Sequence, residues 1–364
     1  MLIFLFILLA IGGVAEWWTL KHGLDEVTYS LTPDKGVVDP DEVFSITTTI
    51  KNRKRMPISF LRVKELMPPS LGFVREDELN ITRDLEHTML TSSLYLGSRK
   101  ASSRSLEVSL KDRGTYYFTG CTFYGGDFLG VSQDVRYLSQ NAEVVVCPRP
   151  SESLELQEVL GSFLGDISVR RFILEDPVLT VGFREYTGRE PFRAISWTQS
   201  ARGRGIMVKQ YDYTAEPSVT VMLNVEYRGD LTREMAARIE ECYSVARTVC
   251  ETLEQNGVRF DFITNATTAG AAGRWTYVEE GMGSRHLNTI IEGLGRAGYG
   301  RIMTFDRLVA RAMRRSDSGR GRILITPAML DGYKKSLDRL RARCGGSIRI
   351  ITPDELAHAE EAAQ

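Results

Sequence analysis

The chain of 364 residues is poor in the side chains that most catalytic and metal centres use. Its four histidines, His22, His87, His286 and His358, show no metal-ligand spacing. Its five cysteines, Cys121, Cys147, Cys242, Cys250 and Cys344, are far apart, form no CxxC pair and are odd in number. That pattern excludes a complete disulfide framework and reads as small hydrophobes buried in a reducing compartment. Charge of one sign is also missing: 46 basic residues stand against 47 acidic ones. No global attraction to nucleic acid follows, and nucleic acid is not expected as a partner. The glycines Gly293, Gly295, Gly298 and Gly300 fit neither GxxxxGK[ST] nor GxGxxG, so no nucleotide site and no cofactor are expected.

Long apolar runs are scarce apart from the N-terminus, where Met1 to Ala15 is uninterrupted before Glu16. Fifteen residues are short for a span, which needs about 20. Extension through Trp17, Trp18 and Leu20 recovers that length, puts two tryptophans at an interface and leaves Lys21 outside. Residues 1–20 are therefore expected to be an uncleaved transmembrane anchor. An inner (cytoplasmic) membrane location follows, with the remaining chain in the cytoplasm. No basic residue precedes the run and no A-x-A-like site follows it, which argues against a signal peptide.

From residue 27 to 150 the pattern is that of strands. Val43 to Asn52 alternates apolar and polar residues, and the runs on either side of Lys111–Gly114 suggest a hairpin. Many short strands without a helical period predict a β-sandwich domain. Residues 151–217 read as a connector. From residue 218 the grammar changes. Val219 to Val225 is a continuous apolar run, as in a strand buried on both faces. Asp230–Gln255 follows with apolar residues three and four apart and stops at Asn256–Gly257. Further alternation to residue 364 predicts an α/β, Rossmann-like domain with a mainly parallel sheet. The stretch with Arg307, Arg311, Arg314, Arg315, Arg320 and Arg322 reads as a solvated helix end and loop.

The densest cluster of polar and aromatic residues is Phe183–Arg202. Pro191 suits a first helical position, and Phe192, Ala194, Ile195, Trp197 and Ala201 suit about three helical turns, with Arg193 stacked on Trp197. Arginine stays protonated and cannot act as a base. Glu185 and Glu190 have the makings of an acid/base pair for a hydrolase, but the arginines around them favour ionised carboxylates and ion pairing. The segment is read as a structural or partner-binding hub. An internal role is expected, because Ile195 and Ala201 share it with the charges.

This segment resembles the signature of domain-of-unknown-function family number 58, a set of bacterial and archaeal membrane-associated proteins. The matching residues are Gly182, Arg184, Tyr186, Arg193, Ile195, Trp197, Ser200, Ala201 and Arg202, whereas the family's Gly-Asp falls on Arg189 and Glu190. Upstream, Arg113, Gly114, Tyr116, Asp127 and Gly130 resemble a second family stretch. The likeness runs in order from about Val27 to Thr352. It implies an α+β multidomain protein: a membrane anchor, a β-sandwich and a von Willebrand factor type A-like α/β domain. It also implies a MoxR-type AAA+ ATPase as partner. The signature residues carried over are Arg184, Tyr186, Glu190, Arg193, Trp197 and Arg202, in a structural or partner-binding role. The type A metal motif, Asp-x-Ser-x-Ser, would fall on Asn224–Arg228, where only Glu226 offers a carboxylate. That site is read as degenerate. The function expected is a non-catalytic, membrane-tethered scaffold working with the ATPase in assembly or maturation of envelope proteins. The alternatives are a metal-dependent type A-like adhesion module and a hydrolase using Glu185 and Glu190.

Overall fold

The computed structural model describes Gly13 and residues 23–84, 87–126, 133–171, 176–203, 205–212, 218–270, 275–314, 320–344 and 348–356. The chain divides into two compact units between Arg149 and Pro150.

The first unit is built from strands β1 (Val27–Pro33), β2 (Val37–Val38), β3 (Val43–Asn52), β4 (Ile58–Met67), β5 (Leu71–Phe73), β6 (Asn80–Arg83), β7 (Thr88–Leu96), β8 (Ala101–Leu110), β9 (Gly114–Gly126) and β10 (Gln133–Val146). They form a four-stranded sheet, β1-β3-β8-β5, and a six-stranded sheet, β2-β10-β9-β4-β7-β6. Alternation along β3 buries Phe44, Ile46 and Ile50. These meet Phe118, Val144, Leu61 and Phe123 from the other sheet, so the core lies between the two sheets as in a sandwich. The turn at Lys111–Gly114 does not close a hairpin. β8 pairs with β3 and β5, while β9 pairs with β10 and β4, so the chain crosses from one sheet to the other at that point.

The second unit opens with helix α1 (Leu154–Arg171), in a stretch where the sequence suggests only a connector. A two-stranded ribbon follows, β11 (Asp176–Glu185) with β12 (Met207–Asp212), and between its strands lies the short helix α2 (Trp197–Ser200). Then come β13 (Ser218–Leu223), α3 (Arg233–Gln255), β14 (Arg259–Thr264), β15 (Ala266–Thr268), β16 (Tyr277–Gly281), α4 (Ser284–Arg296), β17 (Ala297–Arg301), α5 (Phe305–Met313), β18 (Gly321–Ile325), α6 (Lys334–Cys344) and β19 (Ile348–Ile351). The main sheet has the order β16-β14-β13-β18-β19, parallel except for β16. Strand alternation sends Val219, Val221 and Leu223 toward α1 and α3, and Met222 toward α5 and α6. Both faces are thus covered, and β13 is apolar almost throughout. Helix α1 presses Phe163 and Ile167 against β18 at Gly321, where an added Cβ would come within 2.7 Å of Ile167.

The expected composite architecture is corrected. Strands hold more residues than helices in the described chain. Among the described residues no helix is long and apolar enough to cross a membrane. Residues 1–20 lie outside the described ones apart from Gly13, and their uninterrupted apolar run is shorter than a span requires. The transmembrane anchor, and the inner-membrane location that depended on it, are therefore not retained. The von Willebrand factor type A-like label is not retained either, because the motif that would mark it is built into a closed polar network, described below. The basic stretch also needs correction. Arg320 and Arg322 are buried in and beside β18, with Arg320 bonding Ser218 Oγ at 2.9 Å and pairing with Asp261 and Glu280.

Candidate functional site

Two polar constellations lie in the second unit. One sits at the carboxyl ends of the parallel strands, where the chain passes from β14 across β13 to β18 and where open α/β sheets tend to bind ligands. Asn224, Asn265 and Thr326 follow directly on β13, β14 and β18, and all three have no exposed surface. Asn224 Nδ2 donates to Thr326 Oγ1 at 2.9 Å and to the Tyr333 hydroxyl at 3.2 Å. Asn265 Nδ2 donates to Asn224 Oδ1 at 2.7 Å, and Asn265 Oδ1 accepts from the backbone N–H of Val225 at 2.8 Å. Burial pushes the Tyr333 pKa up and keeps its hydroxyl protonated, so it donates to the Glu226 carbonyl at 3.3 Å. Phe305 stacks on Tyr333 with centroids 3.9 Å apart.

The Glu226 carboxylate faces the start of α5. It accepts from the Phe305 N–H at 2.5 Å and pairs with Arg301, so it caps that helix. A hard cation needs several outward-facing oxygens. Here the Asn224 amide nitrogen points to neighbouring hydroxyls and the one carboxylate is shared between an arginine and a helix N-terminus. The residues present do not fit the metal of a type A motif. Among the described residues no group of three or more His, Cys, Asp or Glu is placed to hold a metal ion.

The second constellation is the signature segment. The long helix expected from residue 191 is replaced by a 3-10 turn at Phe192–Ala194 and the single turn α2. Tertiary pairing causes the break. Ile195 forms a β-bridge with Val208 of β12, and Ser196 donates its backbone N–H to the Met207 carbonyl at 2.8 Å. Ser196 Oγ then caps α2 by accepting from the Gln199 N–H at 3.4 Å. Ser200 Oγ locks the same edge, donating to the Ser196 carbonyl and accepting from the Met207 N–H, each at 2.8 Å.

These contacts split the predicted residues into two groups. Ala194, Ile195 and Ser196 are buried with Val208. Phe192 and Trp197 are 77% and 67% exposed, and Phe183 and Ile206 are 40% and 45% exposed. Arg184 pairs with Glu190, which also accepts from the Thr187 backbone and hydroxyl. Partial desolvation works against that carboxylate's charge. The bonds from Thr187, the backbone and Arg184 outweigh it and hold the Glu190 pKa at about 2. Tyr186 donates its backbone N–H to Ile206. Arg189, Arg193, Arg202 and Glu185 are exposed. The internal hub is therefore corrected for Arg193, Trp197 and Arg202, which lie on the surface, and the three-turn geometry that would stack Arg193 on Trp197 does not form.

Sequence reasoning missed Asn265, Thr326 and Tyr333. Asn265 and Thr326 carry one signal, a polar residue directly after a buried strand, and Tyr333, on a 3-10 turn after β18, carries none. A further buried polar group lies in the first unit. Glu65, 1% exposed, accepts from the Tyr29 hydroxyl at 3.0 Å and pairs with Arg104. Each of its oxygens has one of those partners, and it ties β1 and β8 of one sheet to β4 of the other. The four cysteines whose side chains are described, Cys121, Cys147, Cys242 and Cys250, are buried, and burial pushes the Cys121, Cys242 and Cys250 thiols up, away from reactivity.

No family model matches the chain. It is 18% identical over 263 residues to the uncharacterized protein YeaD of Bacillus subtilis (strain 168), which covers 68% of this chain and 61% of YeaD. The chain thus spans about three-fifths of that relative's length. Among solved structures it is similar to the CARDB domain of a Pyrococcus furiosus protein, with a TM-score of 0.23 at 12% identity, over 33% of this chain and 86% of that one. It is also similar to a type II cohesin domain from Acetivibrio cellulolyticus, with a TM-score of 0.25 at 12% identity, over 32% of this chain and 94% of that one. At such scores the likeness carries no argument about function.

Proposed function

We propose that this chain is a non-catalytic interaction protein of the type represented by family number 58, working with a MoxR-type AAA+ ATPase in assembly or maturation of envelope proteins. The observation that carries this reading is the display of Phe192 and Trp197 on a ribbon whose backbone is fixed from beneath by Ile195, Ser196 and Ser200. Exposed aromatic side chains that a protein holds rigidly are the usual anchors of protein interfaces, because little entropy is lost when a partner covers them. The named ATPase comes from the resemblance of the signature residues.

The chemistry of the cluster supports the same view. Glu190 is held near a pKa of 2 by its bonds and pairs with Arg184, so it is a poor proton donor or acceptor at neutral pH. Glu185 then lacks the partner that an acid/base mechanism requires. The test is capture of a purified MoxR-type ATPase from the same organism by the full chain. Binding to wild type and its loss in Trp197→Ala, with unchanged melting, supports the reading. Capture that is indifferent to Trp197 and Phe192 removes the ribbon from it.

A further inference from the structure

The ribbon is unlike its surroundings in charge as well as in exposure. Residues 182–209 contain Arg184, Arg189, Arg193, Arg202, Arg204 and Lys209 against Glu185 and Glu190, a surplus of four positive charges in a chain whose net charge is −1. Elsewhere in the unit, Arg247, Arg259, Arg296, Arg301 and Arg320 each hold a carboxylate. In the ribbon, among the described residues, only Arg184 does so. Arg189, Arg193 and Arg202 are exposed and pair with no carboxylate among the described residues. They flank Phe192 and Trp197 in sequence, on backbone held by the Ile195–Val208 bridge and the Ser200 bonds.

We infer that the surface covering this ribbon is an acidic protein face: carboxylates that receive Arg189, Arg193 and Arg202, set around an apolar socket that receives Trp197 and Phe192. This rests on the docking role proposed above and adds the chemistry of the partner. Three guanidiniums without a carboxylate among the described residues cost little in water, and their field speeds encounter with an acidic surface. The planar forks suit bidentate carboxylate contacts once docked. A partner of purely apolar or basic character would leave these cations beside a desolvated aromatic anchor, at a penalty.

The experiment measures binding of the full chain to the purified MoxR-type ATPase at 50 mM and 300 mM salt, values of the order at which screening lengths fall through about 10 Å. Trp197→Ala is expected to weaken binding roughly thirtyfold or more at both salts. The triple variant Arg189→Glu, Arg193→Glu, Arg202→Glu is expected to weaken it roughly hundredfold at low salt and to abolish the salt dependence. The triple lysine variant keeps the salt dependence, and melting curves for all variants show that the ribbon still folds. If Trp197→Ala weakens binding while the glutamate triple does not, docking stands and the acidic face is overturned. If neither matters, or wild type does not bind, both readings fall. Binding of oligothymidylate or phosphatidylglycerol vesicles through the same arginines, without the ATPase, overturns the inference in favour of a polyanion.

Discussion

The strand-end network around Asn224 and the ribbon around Trp197 are both polar segments joined to strands of the second unit, yet they resolve their polar groups in opposite ways. At the strand ends, two asparagines, a threonine and a tyrosine bond one another inside a buried site. In the ribbon, the backbone and serines bond internally while the aromatic and cationic side chains stay outside. A buried network that is fully paired fixes structure and has little left to offer a ligand. An exposed surface with spare cations and aromatics costs no stability to maintain and is free to bind. The difference teaches that density of polar residues in a sequence does not mark a site, whereas the destination of each hydrogen bond does.

The largest effect expected from breaking this contrast is at Asn265. Replacing it with alanine leaves the Val225 N–H without its buried acceptor and takes a donor from Asn224 Oδ1, which keeps only the Glu226 N–H, and this should cost about 3 kcal/mol in urea unfolding. Tyr333→Phe removes one donor and one acceptor at the edge of the same network and keeps the stack on Phe305, so a loss of about 1 kcal/mol is expected. Trp197→Ala should change stability by no more than about 0.5 kcal/mol, as for other exposed positions, while removing partner capture. A loss above about 2 kcal/mol there would show that Trp197 belongs to the fold and erase the contrast.

The smallest effect is a sharpening one and concerns pH. Glu190 has a depressed pKa in the folded state, so its contribution to stability is present above the ordinary carboxylate pKa of 4.5. It is lost as pH falls toward about 2. An NMR titration should place this carboxyl near 2, and Arg184→Gln should raise it. A midpoint near 4.5 would show that the Arg184 and Thr187 bonds do not hold in solution.

Much of the fold could be read from the sequence where one pattern dominated. The alternation of Val43–Asn52 and the three-four spacing from Ile239 to Leu253 each have a single structural solution, and both form. Helix α1 is hard to read in the sequence although Leu156, Leu160, Phe163 and Ile167 keep helical spacing, because Gly161, Gly165 and the interspersed acidic residues blur the pattern. The signature helix failed for a different reason. Local propensity favoured continuation through Ile195, but pairing with Val208 pulled that residue into β conformation. The burial of Arg320 is not legible in the sequence, because composition alone cannot tell a solvated arginine from one that finds Ser218, Asp261 and Glu280 across the sheet.

The crossing at Lys111–Gly114 bears on how the first unit assembles. A hairpin there would let β8 and β9 nucleate from neighbours. Instead β8 must find β3, pairing Lys51 with Ala101 and Val43 with Ser109, and β9 must find β4 across the interval that contains β5 to β8. Loop closure of that length is paid before any contact is rewarded, which places such strands among the slow steps of folding. The ladder from β9 to β10 is the longest local pairing in the unit and offers the shorter search. A chain emerging in order would therefore hold β3 without β8 and β4 without β9 until those later strands arrive, with one edge of each open to other chains for the interval.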